Sequence, residues 1–122
     1  MEMKHGIEAL AALAHEGRLA IFRALVRAGP EGLAAGRLGE AVGMTGSTLS
    51  NNLAVLTRAG LTSSTRNGRS IIYAADYGRM SDLLAFLVED CCEGSPDVCF
   101  PLSDVLSKVA CCLPQRQDKT LG

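Results

Sequence analysis

An Asn-Gly dipeptide at residues 67–68 constrains this chain more than any other feature. Flanked by strand-forming residues, Asn-Gly is the strongest short-range hairpin signal. Here residues 61–65 and 70–74 are two short strand-like runs around Arg66-Asn67-Gly68-Arg69. A helix precedes the hairpin directly: residues 44–60, MTGSTLSNNLAVLTRAG, offer Thr45 as N-cap, a body rich in Leu, Ala and Val, and Gly60 as terminator. At about 100° per residue, Leu49, Leu53 and Leu56 share one face, while Ser47, Ser50, Asn51, Ala54 and Arg58 share the opposite one. Solvated helix faces usually carry Glu and Lys. This one has short hydrogen-bonding side chains, a small Ala that permits close approach, and one Arg, a surface suited to base edges and phosphates. A helix of that kind followed by a hairpin with a basic tip predicts a winged helix-turn-helix, with the helix in a major groove and the wing on the backbone.

Charge is distributed to match. The net charge is −1, but residues 44–75 contain Arg58, Arg66 and Arg69 and no acid, whereas residues 76–122 hold eight acids against four bases. The segment is locally cationic in a chain that is not. At 122 residues the chain suits one core, and 48% hydrophobic content with three Phe, two Tyr and no Trp implies helices packed with Leu, Ala and Val. No apolar run approaches the roughly 20 residues of a membrane span, and MEMKHGIEAL lacks a signal-peptide plan. The expectation is a cytoplasmic protein with no membrane partner.

In chain order, residues 4–14 predict a first helix with Ile7, Leu10, Ala11 and Ala14 as its stripe. A second starts near Glu16, with Leu19, Phe22, Leu25 and Val26 facing the core, and ends at Gly29-Pro30-Glu31-Gly32. Residues 34–42 form a short third helix, and Gly43-Met44 turns the chain into the helix at 45–60. After the hairpin, Asp76 caps a fifth helix running to about Cys92, with Met80, Leu83, Leu84, Leu87 and Val88 as its apolar stripe. That stripe reads first as core, and together with the first helix as a dimer face. A final helix over 102–112 ends before Pro114, leaving a polar, disordered tail over 114–122. His5 and His15 read as solvated or capping residues. The fold class is mainly α, a winged helix-turn-helix of five to six helices with one hairpin wing, in a single domain over 1–113 that includes a C-terminal cysteine site.

The segments LAHEGRLAIFRAL, GSTLSNNLAVLTRAGL and NGRSIIYAAD, in that order and spacing, resemble the ArsR/SmtB family of bacterial metal-responsive repressors, over residues 7–99. The second and third are similar to the family's recognition helix and wing. The resemblance implies a homodimer on double-stranded operator DNA, released when an effector binds. The family's best-known arsenic site, a Cys-x-Cys early in the third or fourth helix, has no counterpart in EGLAAGRLGEAVG.

All five cysteines lie in the last third: Cys91, Cys92, Cys99, Cys111 and Cys112. An odd number, without a secretion signal, argues for thiols used as ligands or redox groups rather than a disulfide framework. Cys91 and Cys92 can face one soft ion, and Gly94-Ser95-Pro96 lets Cys99 return as a third ligand. Sulfur donors without a nearby His select thiophilic ions. Glu89, Asp90, Glu93 and Asp97 and the negative end of a helix dipole disfavour a reactive thiolate. Three thiolates leave a divalent ion with net charge −1 but neutralise trivalent arsenic, and arsenite arrives as a neutral hydroxide that exchanges hydroxyl for thiol. As(III), with Sb(III) as co-inducer, is the expected effector at Cys91, Cys92 and Cys99. Some members of the family resemble this chain in placing a Cys-Cys pair and a later Cys after the fifth helix as a three-sulfur arsenic site. A Cd/Pb/Zn sensor or a thiol-oxidation switch on the same fold remains the alternative, and the role of Cys111 and Cys112 stays open. An enzyme is not expected: there is no Cys-x-x-Cys, no Gly-rich phosphate cradle and no Cys-His-acid set at recognisable spacing. For DNA, Ser47, Ser50 and Asn51 are candidates for base edges, and Thr48, Arg58, Arg66 and Arg69 for phosphates or the minor groove.

Overall fold

The computed structural model describes residues 1–88. The predicted end of the fifth helix near Cys92, the helix over 102–112, the tail over 114–122 and all five cysteines lie outside the described residues. Within them the order is α1 (Met3–Leu13), α2 (Glu16–Ala28), β1 (Leu33–Ala34), α3 (Ala35–Val42), α4 (Gly46–Arg58), β2 (Thr62–Asn67), β3 (Ser70–Ala75) and α5 (Tyr77–Val88). This is a winged helix-turn-helix, with helices α1 to α5 and an antiparallel sheet ordered β1-β3-β2.

The core is largely aliphatic. Ile21, Leu25, Leu38, Leu56 and Leu61 are its largest fully buried side chains, joined by Leu49 and Leu53 of α4 and Leu83 of α5. The α4 apolar face is thus the one its periodicity predicts. On α2 the stripe is rotated from the expected one: Ile21, Phe22, Ala24 and Leu25 are buried and Leu19 is exposed. A correction also applies to α1. Its buried residues are Gly6, Ala9 and Ala12, whereas Ile7 and Leu10 are 57% and 40% exposed. Close packing explains the choice, because a Cβ on Gly6 would stand 2.7 Å from the Phe86 ring. The small face goes inward and the large apolar one outward.

Several helix ends have identifiable chemistry. His15 Nδ1 accepts from the amides of Gly17 (3.1 Å) and Arg18 (3.3 Å) to cap α2, and Arg18 Nε donates to the Ala12 carbonyl at 2.6 Å, tying α2 to the end of α1. Gly43, left-handed at φ 71°, ends α3. A Schellman arrangement closes α4: the Leu61 amide donates to Leu56 O (3.0 Å) and the Gly60 amide to Thr57 O (2.9 Å). Asp76 Oδ1 accepts from the Arg79 amide at 2.9 Å, the predicted cap of α5, and the Tyr77 hydroxyl donates to Val26 O at 3.0 Å, fastening α5 to α2. No helix among the described residues is long and apolar enough to cross a membrane.

Candidate nucleic-acid interface

The hairpin forms, but its turn sits one residue later than Asn-Gly implies. Asn67 pairs with Ser70, so Gly68 and Arg69 are the two loop residues, and Gly68 takes φ 66°. Glycine at the first central position of a two-residue loop tolerates that positive φ. Arg69 therefore occupies the tip itself, and Arg66, opposite Ile71 in β2, stands one step down the strand. Both are exposed. Beyond Thr62, every residue of β2 is exposed, so the distal wing projects without core beneath it.

On α4, Ser47, Thr48, Ser50, Asn51 and Ala54 are all exposed, as is Arg58. The first four lie in the first two turns of the helix. Arg58 is eleven residues beyond Ser47, about 16 Å along the axis at 1.5 Å per residue. It lines a hollow of about 330 Å³ with Glu8, Ala11 and Arg18, next to α1. The structure thus gathers Ser47, Thr48, Ser50 and Asn51 at one end of the helix and sets Arg58 at the other. Thr45 holds the N-cap position with extended backbone, yet its hydroxyl makes no capping bond. Gly46 follows at φ 62°, which displaces the first turn from the geometry in which an N-cap hydroxyl meets the next amides.

The helix-turn-helix joint has a polar element that the sequence did not single out. Asn52 is only 8% exposed although its neighbour Asn51 is open to solvent. Its Nδ2 donates to Met44 Sδ at 3.5 Å, and Met44 N–H donates to Gly39 O at 3.0 Å, folding the turn onto α3. Helical spacing places Asn52 at the edge between core and reading faces, where pattern alone does not decide burial.

Among the described residues, no group of three or more His, Cys, Asp or Glu is placed to hold a metal ion. The ligand set expected at Cys91, Cys92 and Cys99 lies outside the described residues.

A helix-turn-helix domain family matches residues 13–65. Comparison with curated proteins yields no match. Among solved structures, NolR from Sinorhizobium fredii is 31% identical, aligned over 70% of this chain and 83% of its own, with a TM-score of 0.57. The transcriptional repressor BigR from Xylella fastidiosa is 28% identical over 70% of this chain and 85% of its own, TM-score 0.56. The homodimeric winged helix-turn-helix DNA-binding domain Mb0332 from Mycobacterium bovis, described as a possible ArsR-family transcriptional regulator, is 26% identical over 72% and 82%, TM-score 0.57.

Proposed function

This chain belongs to the ArsR family of winged helix-turn-helix regulators, and on that footing we propose that it is a dimeric repressor released from operator DNA by trivalent arsenic. The observation that carries the DNA reading is the acid-free, exposed surface of α4 beside a wing whose tip is Arg69. Ser47, Ser50 and Asn51 meet base edges in the major groove. Thr48, Arg66 and Arg69 hold phosphates or enter the minor groove, and Arg58 holds phosphate at the far end of the helix. Two-fold symmetry presents two such helices to the half-sites of a palindrome.

Support for the effector comes from the donor chemistry of the chain: three thiols at Cys91, Cys92 and Cys99 with no histidine among them. That set fits As(III) and Sb(III), each thiol replacing one hydroxide with release of water. Effector binding beyond α5 changes the relation of the protomers, and a coupling of about 1–3 kcal/mol lowers operator affinity by roughly 5- to 150-fold.

Fluorescence anisotropy of the reduced protein on a duplex from upstream of its own coding sequence tests both parts. Arsenite should release the duplex, and Cys99→Ser should bind it normally while ignoring arsenite. Release by cadmium or peroxide but not arsenite would replace the effector while leaving the DNA reading in place. No binding in any condition would sink the proposal.

A further inference from the structure

We infer that Asn52 is a positioning residue: without touching DNA, it fixes the rotation of α4 and thereby the sequence selectivity of Ser47, Ser50 and Asn51. The inference rests on the DNA-binding reading of that helix. Three segments converge on this side chain. Asn52 comes from α4, Met44 from the turn after α3, and Gly17 from the first turn of α2. A Cβ on Gly17 would lie 2.9 Å from Met44 Cε, 3.2 Å from His15 Cε1 and 3.3 Å from Asn52 Nδ2. The absence of a side chain at Gly17 lets the thioether and the carboxamide come together over α2.

Stability alone does not account for an amide here. A thioether is a weak acceptor, and a leucine of similar size would bury more apolar surface at this nearly closed position. What a directional N–H···S contact supplies, and an apolar contact does not, is a preferred angle. The helix is sensitive to that angle. Side-chain atoms lie about 5–6 Å from the axis of a helix, so a rotation of about 20° moves them by about 2 Å. Direct hydrogen bonds to base edges tolerate only a few tenths of an ångström. Asn52 follows Asn51 immediately, so anchoring one sets the direction of the other. Contacts to phosphate from long, flexible arginines on the wing absorb such a rotation, and base contacts do not.

The test compares operator and scrambled duplexes of equal length by anisotropy, with thermal melts of each variant. Asn52→Leu should melt at or above the wild-type temperature, lose roughly tenfold in operator affinity and keep its affinity for the scrambled duplex. Met44→Leu, which removes the acceptor at similar volume, should do the same. The double variant should lose no more than either single one, because both remove one contact. Undiminished operator affinity in Asn52→Leu overturns the inference, as does a parallel fall on both duplexes, or additive losses in the double variant. A wild-type protein with no preference for operator over scrambled duplex overturns the repressor reading itself, and this inference with it.

Discussion

At the scale of single residues, Gly32 is closed to any side chain. It lies at φ 74°, and a Cβ there would be driven into the backbone carbonyl of Tyr73. The neighbouring pairing of Leu33 with Tyr73 and Ala34 with Ile72 holds β1 against the wing, so the chain has no room to move away. Gly32→Ala combines left-handed strain with a backbone clash and should cost about 2 kcal/mol or more. Chemical denaturation checks this, and a loss under about 0.5 kcal/mol would show that β1 yields freely. Neither this constraint nor β1 was legible beforehand, since two residues carry no periodicity and Gly32 read only as the end of α2. The Asn-Gly signal illustrates the opposite case. It located a hairpin correctly but not its register, because Gly68 serves the turn as its first central residue and Asn67 is left to pair with Ser70.

At the scale of elements, periodicity located α1 to α5 closely but chose the wrong buried face where a helix has two apolar ones. On α4 the alternatives are polar and apolar, so Leu49, Leu53 and Leu56 could only face inward. On α1, Gly6, Ala9 and Ala12 compete with Ile7 and Leu10, and hydropathy favours the larger residues while close approach favours the smaller. Asn52 escaped for a related reason: the hydropathy of a boundary position does not reveal its burial. The wing and the reading helix should nevertheless divide the work legibly. Arg69→Ala and Arg66→Ala should weaken binding about equally on operator and scrambled DNA, and each should reduce the slope of log K against log salt by about 1. Asn51→Ala should instead relax sequence preference, at about 1–3 kcal/mol for the operator, with the salt slope unchanged. Anisotropy titrations across a salt series separate the two. A loss of preference on removing Arg69 would move the wing from backbone to base readout.

At the scale of the whole molecule, most of the large apolar side chains that the described residues leave exposed stand on α1 and α5. Leu84 and Leu87 are 52% and 51% exposed, and Ile7 and Leu10 stand out from α1. The stripe read as core in the sequence is therefore only partly core: Leu83 is buried, Met80 is half-buried, and the remainder faces solvent in a single protomer. Apolar residues repeated along two helices are costly to leave in water, at about 25 cal/mol per Å². A second copy that covers them would set two α4 helices at a fixed separation. That separation is what a palindrome demands, since each half-site alone offers only a few base contacts. Cys91 and Cys92 lie three and four residues beyond Val88 in the sequence, so the proposed effector site is close in sequence to α5. Leu87→Glu should consequently yield a folded monomer in sedimentation equilibrium, with operator affinity reduced by on the order of 100-fold or more through loss of the second half-site. A monomeric variant that still bound the palindrome at wild-type affinity would mean that each protomer reads its half-site independently, and release by arsenic would then require direct action on α4 rather than on the pairing of protomers.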